Sequence, residues 1–172
     1  MACSNLTSGI IQDCNTNQGG IEVIYIANGP VQSIAESAGN VTAITVGGSA
    51  LTPSDFFKFE TPRQTSSINS TITVSQENGT ATFDQQLTMV FNKMNTAMRN
   101  QLLLLAEATN LVIVAKDNNG VFWSLGLERG GYMISGTATS GVAYADRNGM
   151  EIIVGGMEAH PMYTVDSSIV EA

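Results

Sequence analysis

The sequence predicts a mainly β domain (α+β): an antiparallel β-sandwich or barrel-forming unit with one long hairpin and one flanking α-helix. Three observations carry this prediction. Short β-branched, apolar runs are punctuated by Gly, Pro and Asn-Gly turns. The segment 66–91 alternates apolar and polar residues about Asn78-Gly79. Only one stretch, from Asn95 to Thr109, repeats apolar residues at helical spacing.

The elements follow in order. Residues 1–20, rich in Ser, Thr, Asn, Gln and Gly, read as an N-terminal arm ending at Gly19-Gly20. The apolar run 21–27 is a strand stopped by Asn28-Gly29-Pro30, and a second strand, Val41 to Val46, ends at Gly47-Gly48. Pro53 and Pro62 bracket a third, Phe56 to Glu60.

Asn78-Gly79 fits a two-residue type I′ turn, which requires positive φ at both central positions. Such a turn places Glu77 opposite Thr80, Val74 opposite Phe83, Ile72 opposite Gln85, Ser70 opposite Leu87 and Ile68 opposite Met89. The apolar positions then share one face, and Thr71, Thr73 and Ser75 share the other with Thr82, Asp84 and Gln86. The expected hairpin has about eleven residues per strand, roughly 35 Å at the usual rise.

Asn95 is positioned to cap a helix whose packing face carries Met98, Leu102, Leu105 and Ala106. Leu111 to Ala115 and Val121 to Leu125 form a second hairpin through Asp117-Asn118-Asn119-Gly120. Tyr132 to Ser135 adds a strand, Tyr144 and Ile152 flank a third turn at Asn148-Gly149, and Met162 to Val165 is extended. The domain is thus expected over 21–166, with 167–172 a C-terminal tail.

Composition narrows the function. Charged residues are 13% of the 172, about half the usual share of roughly 25%. A polar but charge-poor surface suits a protein covered largely by copies of itself. The net charge is −8, with all seven basic residues between 58 and 147. Binding to nucleic-acid phosphates needs clustered Lys and Arg, which this pattern does not supply. No apolar run approaches the roughly 18 residues of a membrane span, and no signal peptide is expected. Cys3 and Cys14 are compatible with a disulfide or with two thiols.

Motifs for chemistry are not found. His160 is the only histidine and no Ser, Cys or Asp motif surrounds it; carboxylates are scattered singly; HExxH, GxSxG and P-loop patterns are absent. No cofactor, metal or catalytic residue is expected. Phe83, Phe91 and Trp123 lie in strand patterns and read as core rather than as a stacking platform.

The element order resembles that of the tail tube proteins of tailed bacteriophages. The likeness is carried by the long hairpin at Asn78-Gly79, the single helix at 95–109 and the hairpin Leu111-Val-Ile-Val-Ala-Lys-Asp-Asn-Asn-Gly-Val-Phe-Trp. The stretch Asp146-Arg-Asn-Gly-Met-Glu-Ile-Ile-Val is similar to the closing strands of members from phages infecting Bacteroidetes. The likeness covers most of residues 20–166 and rests on element order and local phrasing, with no invariant motif.

The resemblance implies a small β-sandwich flanked by a helix. Six copies would form a ring with a β-barrel inner wall, and stacked rings would form the conduit for DNA in the virion. It implies that Thr71, Thr73, Ser75, Asn78, Gly79, Thr82, Asp84 and Gln86 face the lumen. Ile68, Ile72, Val74, Phe83, Leu87 and Met89 would then face the subunit core. Residues 1–20 and 158–172 would bridge rings. Partners would be further copies, other phage tail proteins and passing DNA, bound without specificity and with no membrane anchor. Tail terminator, head-completion and baseplate hub proteins share this fold. A different class of reading is a decoration or adhesion module whose loops at Gly130-Gly131 or 136–141 hold a receptor or glycan, and a third is a hydrolase assembled from distant residues.

Overall fold

The computed structural model describes residues 8–10 and 16–171. Cys3, Cys14 and most of the expected N-terminal arm lie outside the described residues.

Strands β1 (Ile21–Asn28) and β8 (Leu111–Asp117) form the centre of the domain, paired antiparallel with Ile24 opposite Ala115 and Ile26 opposite Ile113. Their apolar residues do not alternate with polar ones because both faces are covered. Val23, Tyr25, Ala27, Val112 and Val114 pack in one core cluster, and Ile24, Ile26, Leu111, Ile113 and Ala115 in the other. Near-continuous hydrophobic runs are what double burial demands.

Around this pair the chain adds β2 (Val31–Ser37), β3 (Asn40–Val46), β4 (Ser49–Ala50), β5 (Phe57–Glu60), β9 (Phe122–Leu125) and β12 (Thr164–Val165). These eight strands make one sheet in the order β2-β3-β12-β9-β8-β1-β5, with β4 on β3. Val41 and Ile44 of β3 share a core cluster with Val23 and Tyr25 of β1, although three strands separate β3 from β1. The large sheet therefore curls over its own core. A second sheet, ordered β10-β11-β7-β6, contains β6 (Ser67–Ser75), β7 (Thr80–Asn92), β10 (Tyr132–Thr139) and β11 (Gly149–Glu158). Leu87, Met89, Ile152 and Val154 of this sheet pack onto Ile24, Ile113 and Leu125 of the first. The β-sandwich expected from the sequence is the fold observed.

The helix α1 (Thr96–Glu107) begins where the sequence places it, the Asn95 side chain accepting from Met98 N at 2.8 Å. It settles beside the inter-sheet core through Leu105, which is buried, and Leu102, which is partly buried; Met98 is half-buried. Ala106 is exposed, contrary to the expected packing face, and so are Leu103 and Leu104. The apolar run Leu102 to Leu105 winds around more of the helix than one contact can cover, so only part of it is buried.

Three further expectations are corrected. Strand β2 was not foreseen: it is an edge strand with mostly exposed side chains, joined to β3 through Ala38 (φ 53°) and Gly39, a turn without an Asn-Gly or Asp-Gly marker. Tyr144 flanks no strand pair; the chain from Ser140 to Asn148 is a loop, and Tyr144 is fully exposed. Residues 167–171 are not an extended tail. Asp166 caps a short helix, α2 (Ser167–Val170), whose Ile169 and Val170 are buried in the curled sheet's core. Glu171 fastens this end, accepting from Tyr25 Oη at 2.5 Å and lying 3.3 Å from Lys116 Nζ.

Candidate functional site

The four-stranded sheet and its hairpin carry the residues singled out from the sequence. The hairpin register differs from the expected one. Ser75 pairs with Thr80, Ile72 with Phe83, Ile68 with Leu87 and Ser67 with Thr88, so the pairing is displaced by two residues. Residues 76–79 form a four-residue turn in which only Gly79 has positive φ (60°) and Asn78 N donates to Ser75 Oγ at 3.3 Å. A displacement of two preserves the faces, because side chains alternate with period two. Asn69, Thr71, Thr73 and Ser75 stand with Thr82, Asp84 and Gln86 on the outer face; Ile68, Ile72 and Val74 stand with Phe83, Gln85 and Leu87 on the inner.

Burial divides the hairpin along its length. At its base Gln85, Leu87, Met89 and Val90 are buried and Ile68 is half-buried. Towards its tip Ile72 is 60% and Val74 65% exposed, and Phe83 is half-buried. The expectation that Ile72 and Val74 enter the core of their own subunit is therefore corrected. The tip extends beyond the opposing sheet, leaving an apolar face uncovered. Thr71, Thr73, Asn78 and Gly79 are exposed, and Ser75, Thr82, Asp84 and Gln86 half-buried.

The sheet's four strands contain no lysine or arginine and three carboxylates, Asp84, Glu151 and Glu158. On the outer face Gln86 Nε2 donates to Asp84 Oδ2 at 2.9 Å, and Arg147, from the adjoining loop, lies 3.4 Å from Glu151. Among the described residues both edges are free, since β6 pairs only with β7 and β10 only with β11. Neither edge strand bears a charge, whereas the edges of the large sheet carry Glu36 on β2 and Lys58 and Glu60 on β5.

Two buried polar groups at the hairpin base were missed from the sequence. Gln85 Nε2 donates to His160 O at 3.1 Å, and its Oε1 accepts from the buried Gly126 N at 3.1 Å, tying β7 to the chain on either side of β10 and β11. A glutamine between Phe83 and Leu87 on an otherwise apolar face was the signal available. Glu158, 5% exposed, accepts from Arg129 N at 2.9 Å and Glu128 N at 3.1 Å through Oε1, while its buried Oε2 has no partner among the described residues. Loss of solvation pushes this carboxyl above its ordinary pKa, against the opposing pull of the two N–H groups.

A carboxyl whose pKa is raised on folding contributes stability that is complete below its unfolded value, about pH 4. That contribution fades as pH rises through the folded value. In Glu158→Gln the oxygen acceptor is retained and an amide replaces the unpartnered oxygen. The stability difference, variant minus wild type, should therefore grow in the variant's favour between acidic and neutral pH. Urea midpoints across a pH series measure it; a difference independent of pH would reject the assignment.

Elsewhere, His160 is exposed, with Nε2 4.0 Å from Glu128 Oε2 and its ring beside Tyr163. An open polar cleft of about 650 Å³ lies along Glu22, Lys58, Glu60 and Arg63, where Lys58 Nζ is 2.9 Å from Glu60. Among the described residues, no group of three or more His, Cys, Asp or Glu side chains is placed to hold a metal ion. Trp123, expected in the core, is half-buried and donates from Nε1 to Asp117 Oδ2 at 3.2 Å. Among the described residues, no helix is long and apolar enough to cross a membrane. The chain matches no protein-family model and shows no significant similarity to any curated protein.

Proposed function

We propose that the protein is a structural subunit of a virion, the tail tube protein of a bacteriophage, whose four-stranded sheet joins those of neighbouring copies into the wall of a DNA conduit. The observation that carries this reading is the pair of uncharged edges left free among the described residues, β6 of nine residues and β10 of eight. Exposed edges in free-standing proteins are blunted with charge, proline or cover. The large sheet follows that practice and the small one does not.

The sheet's order makes closure geometrically simple. Its three neighbour pairings are all antiparallel, so β6 and β10, at opposite ends of four strands, run in opposite directions. Rotation about a ring axis preserves the direction of every strand. The β6 of one copy therefore meets the β10 of the next as an antiparallel partner, and the edges vanish in a closed barrel. The exposed Ile72 and Val74 would be covered in the same step. A sheet with carboxylates and no basic residue would present DNA with a wall that repels phosphate.

Negative-stain microscopy of the purified full chain tests the proposal. Rings or stacked rings with a central hole are expected. A dispersed monomer at high concentration rejects it. A second reading, an adhesion module, is favoured by Val142 and Tyr144, which stand fully exposed on a loop fixed by Asp146 accepting from Val142 N and Ala143 N, each at 2.8 Å. That reading expects no rings and binding to a receptor or glycan that Tyr144→Ala removes.

A further inference from the structure

We infer that Asn78 is a site of spontaneous covalent modification, the one Asn-Gly pair of this chain that the fold leaves free to deamidate. The proposal is independent of the tube reading. The chain contains four Asn-Gly pairs, at Asn28, Asn78, Asn119 and Asn148. Glycine offers no side chain to hinder attack of its own nitrogen on the preceding carboxamide, so each pair is chemically competent. The fold treats them differently.

At Asn28 the attacking nitrogen is engaged: Gly29 N donates to Asn110 O at 3.2 Å. Asn119 is held at both ends of its carboxamide. Its Oδ1 accepts from Gln18 N at 2.8 Å, its Nδ2 donates to Asn17 Oδ1 and Gln18 O at 2.9 Å each, and Gly120 N donates to Asp117 O at 3.0 Å. Asn148 accepts from Lys93 N through its backbone oxygen at 2.6 Å, and its Gly149 is buried in β11 opposite Asn92. Asn78 lies in the four-residue hairpin turn, exposed, and its carboxamide makes no hydrogen bond among the described residues. Gly79 is also exposed, and a Cβ built on it would meet nothing within 4 Å.

The reaction needs only water. Gly79 N loses its proton to solvent and attacks Asn78 Cγ; the new C–N bond forms, the Cγ–Nδ2 bond breaks and ammonia leaves, giving a five-membered succinimide. Water opens that ring at either carbonyl, leaving aspartate or isoaspartate. The net change exchanges NH₂ for OH and adds one negative charge beside Glu77 at the hairpin tip. The isoaspartyl product also lengthens the turn by one backbone atom.

Peptide mapping by mass spectrometry, after incubation of the folded full chain at mildly alkaline pH, tests the inference. Asn78 should gain a single mass unit at least about tenfold faster than Asn28, Asn119 or Asn148. A protected site reacts only through local opening, and tenfold corresponds to ~1.4 kcal/mol. In concentrated urea the four rates should converge. Asn78→Asp provides the mass reference for the product. The inference is overturned if any of the other three sites keeps pace with Asn78 in the folded protein, or if Asn78 reacts in urea but not when folded.

Discussion

Deleting residues 72–83 and joining Thr71 to Asp84 through Asn-Gly should abolish the proposed ring and tube formation while the domain stays folded. The removed segment carries little of the core, since Ile72 and Val74 are largely exposed and Phe83 is half-buried. The buried side chains of the hairpin, Gln85, Leu87, Met89 and Val90, all lie at its base and are retained. A stability loss of about 1 kcal/mol, or a fall of about 2–4 °C in melting temperature, is the expected cost for a domain of this size. On the proposed tube reading, assembly should lose far more. The β6 edge is cut back from nine residues to five, and the uncovered apolar face is gone. Sedimentation and microscopy read the assembly, and thermal unfolding reads the fold. Tubes formed by the shortened chain would remove the hairpin from any interface.

Gly155→Val should destabilise the domain by about 3 kcal/mol or more, at the upper end of overpacking effects. The reason is close approach. A Cβ on Gly155 would lie 1.9 Å from Gln85 O and 3.0 Å from Gln86 Cα, both backbone atoms of the neighbouring strand β7. Relief requires β7 and β11 to part, and these strands are paired from Gly149 and Asn92 to Glu158 and Phe83. The adjacent Gly156 permits a second approach, its Cβ position lying 3.0 Å from Gly126 Cα. Thr137→Val, on an exposed position of the edge strand β10, serves as a control and should change stability by no more than about 0.5 kcal/mol. Urea unfolding compares them; a Gly155→Val protein as stable as the control would rule the close approach out.

Legibility from the sequence followed the range of the interactions involved. Asn95 was readable as a cap because it bonds Met98 N three residues away. The hairpin's two faces were readable because alternation survives a shift of two residues. Its register was not, because Asn78-Gly79 permits both a two-residue turn and the four-residue turn observed. Strand β2 escaped notice because an exposed edge strand has no apolar stripe to advertise it. The apolar pair Ile169-Val170 lay within six residues of the chain end and read as tail, although it packs in the core cluster that holds Val23 and Tyr25 of β1 and Val41 and Ile44 of β3.

The amino-acid sequence by itself determined the β class, the position of the single long helix, the two-faced hairpin and a chain poor in charge. Each depends on contacts between residues close in sequence or on the period of side chains along a strand. The tertiary structure decided how far the opposing sheet reaches along the hairpin, and so which apolar residues are core and which stand uncovered. It also decided that, among the described residues, β6 and β10 are the open edges and Glu158 is buried with one oxygen unpartnered, and that three of four Asn-Gly pairs are locked. Those outcomes depend on which distant segments meet, and local pattern carries no record of the meeting.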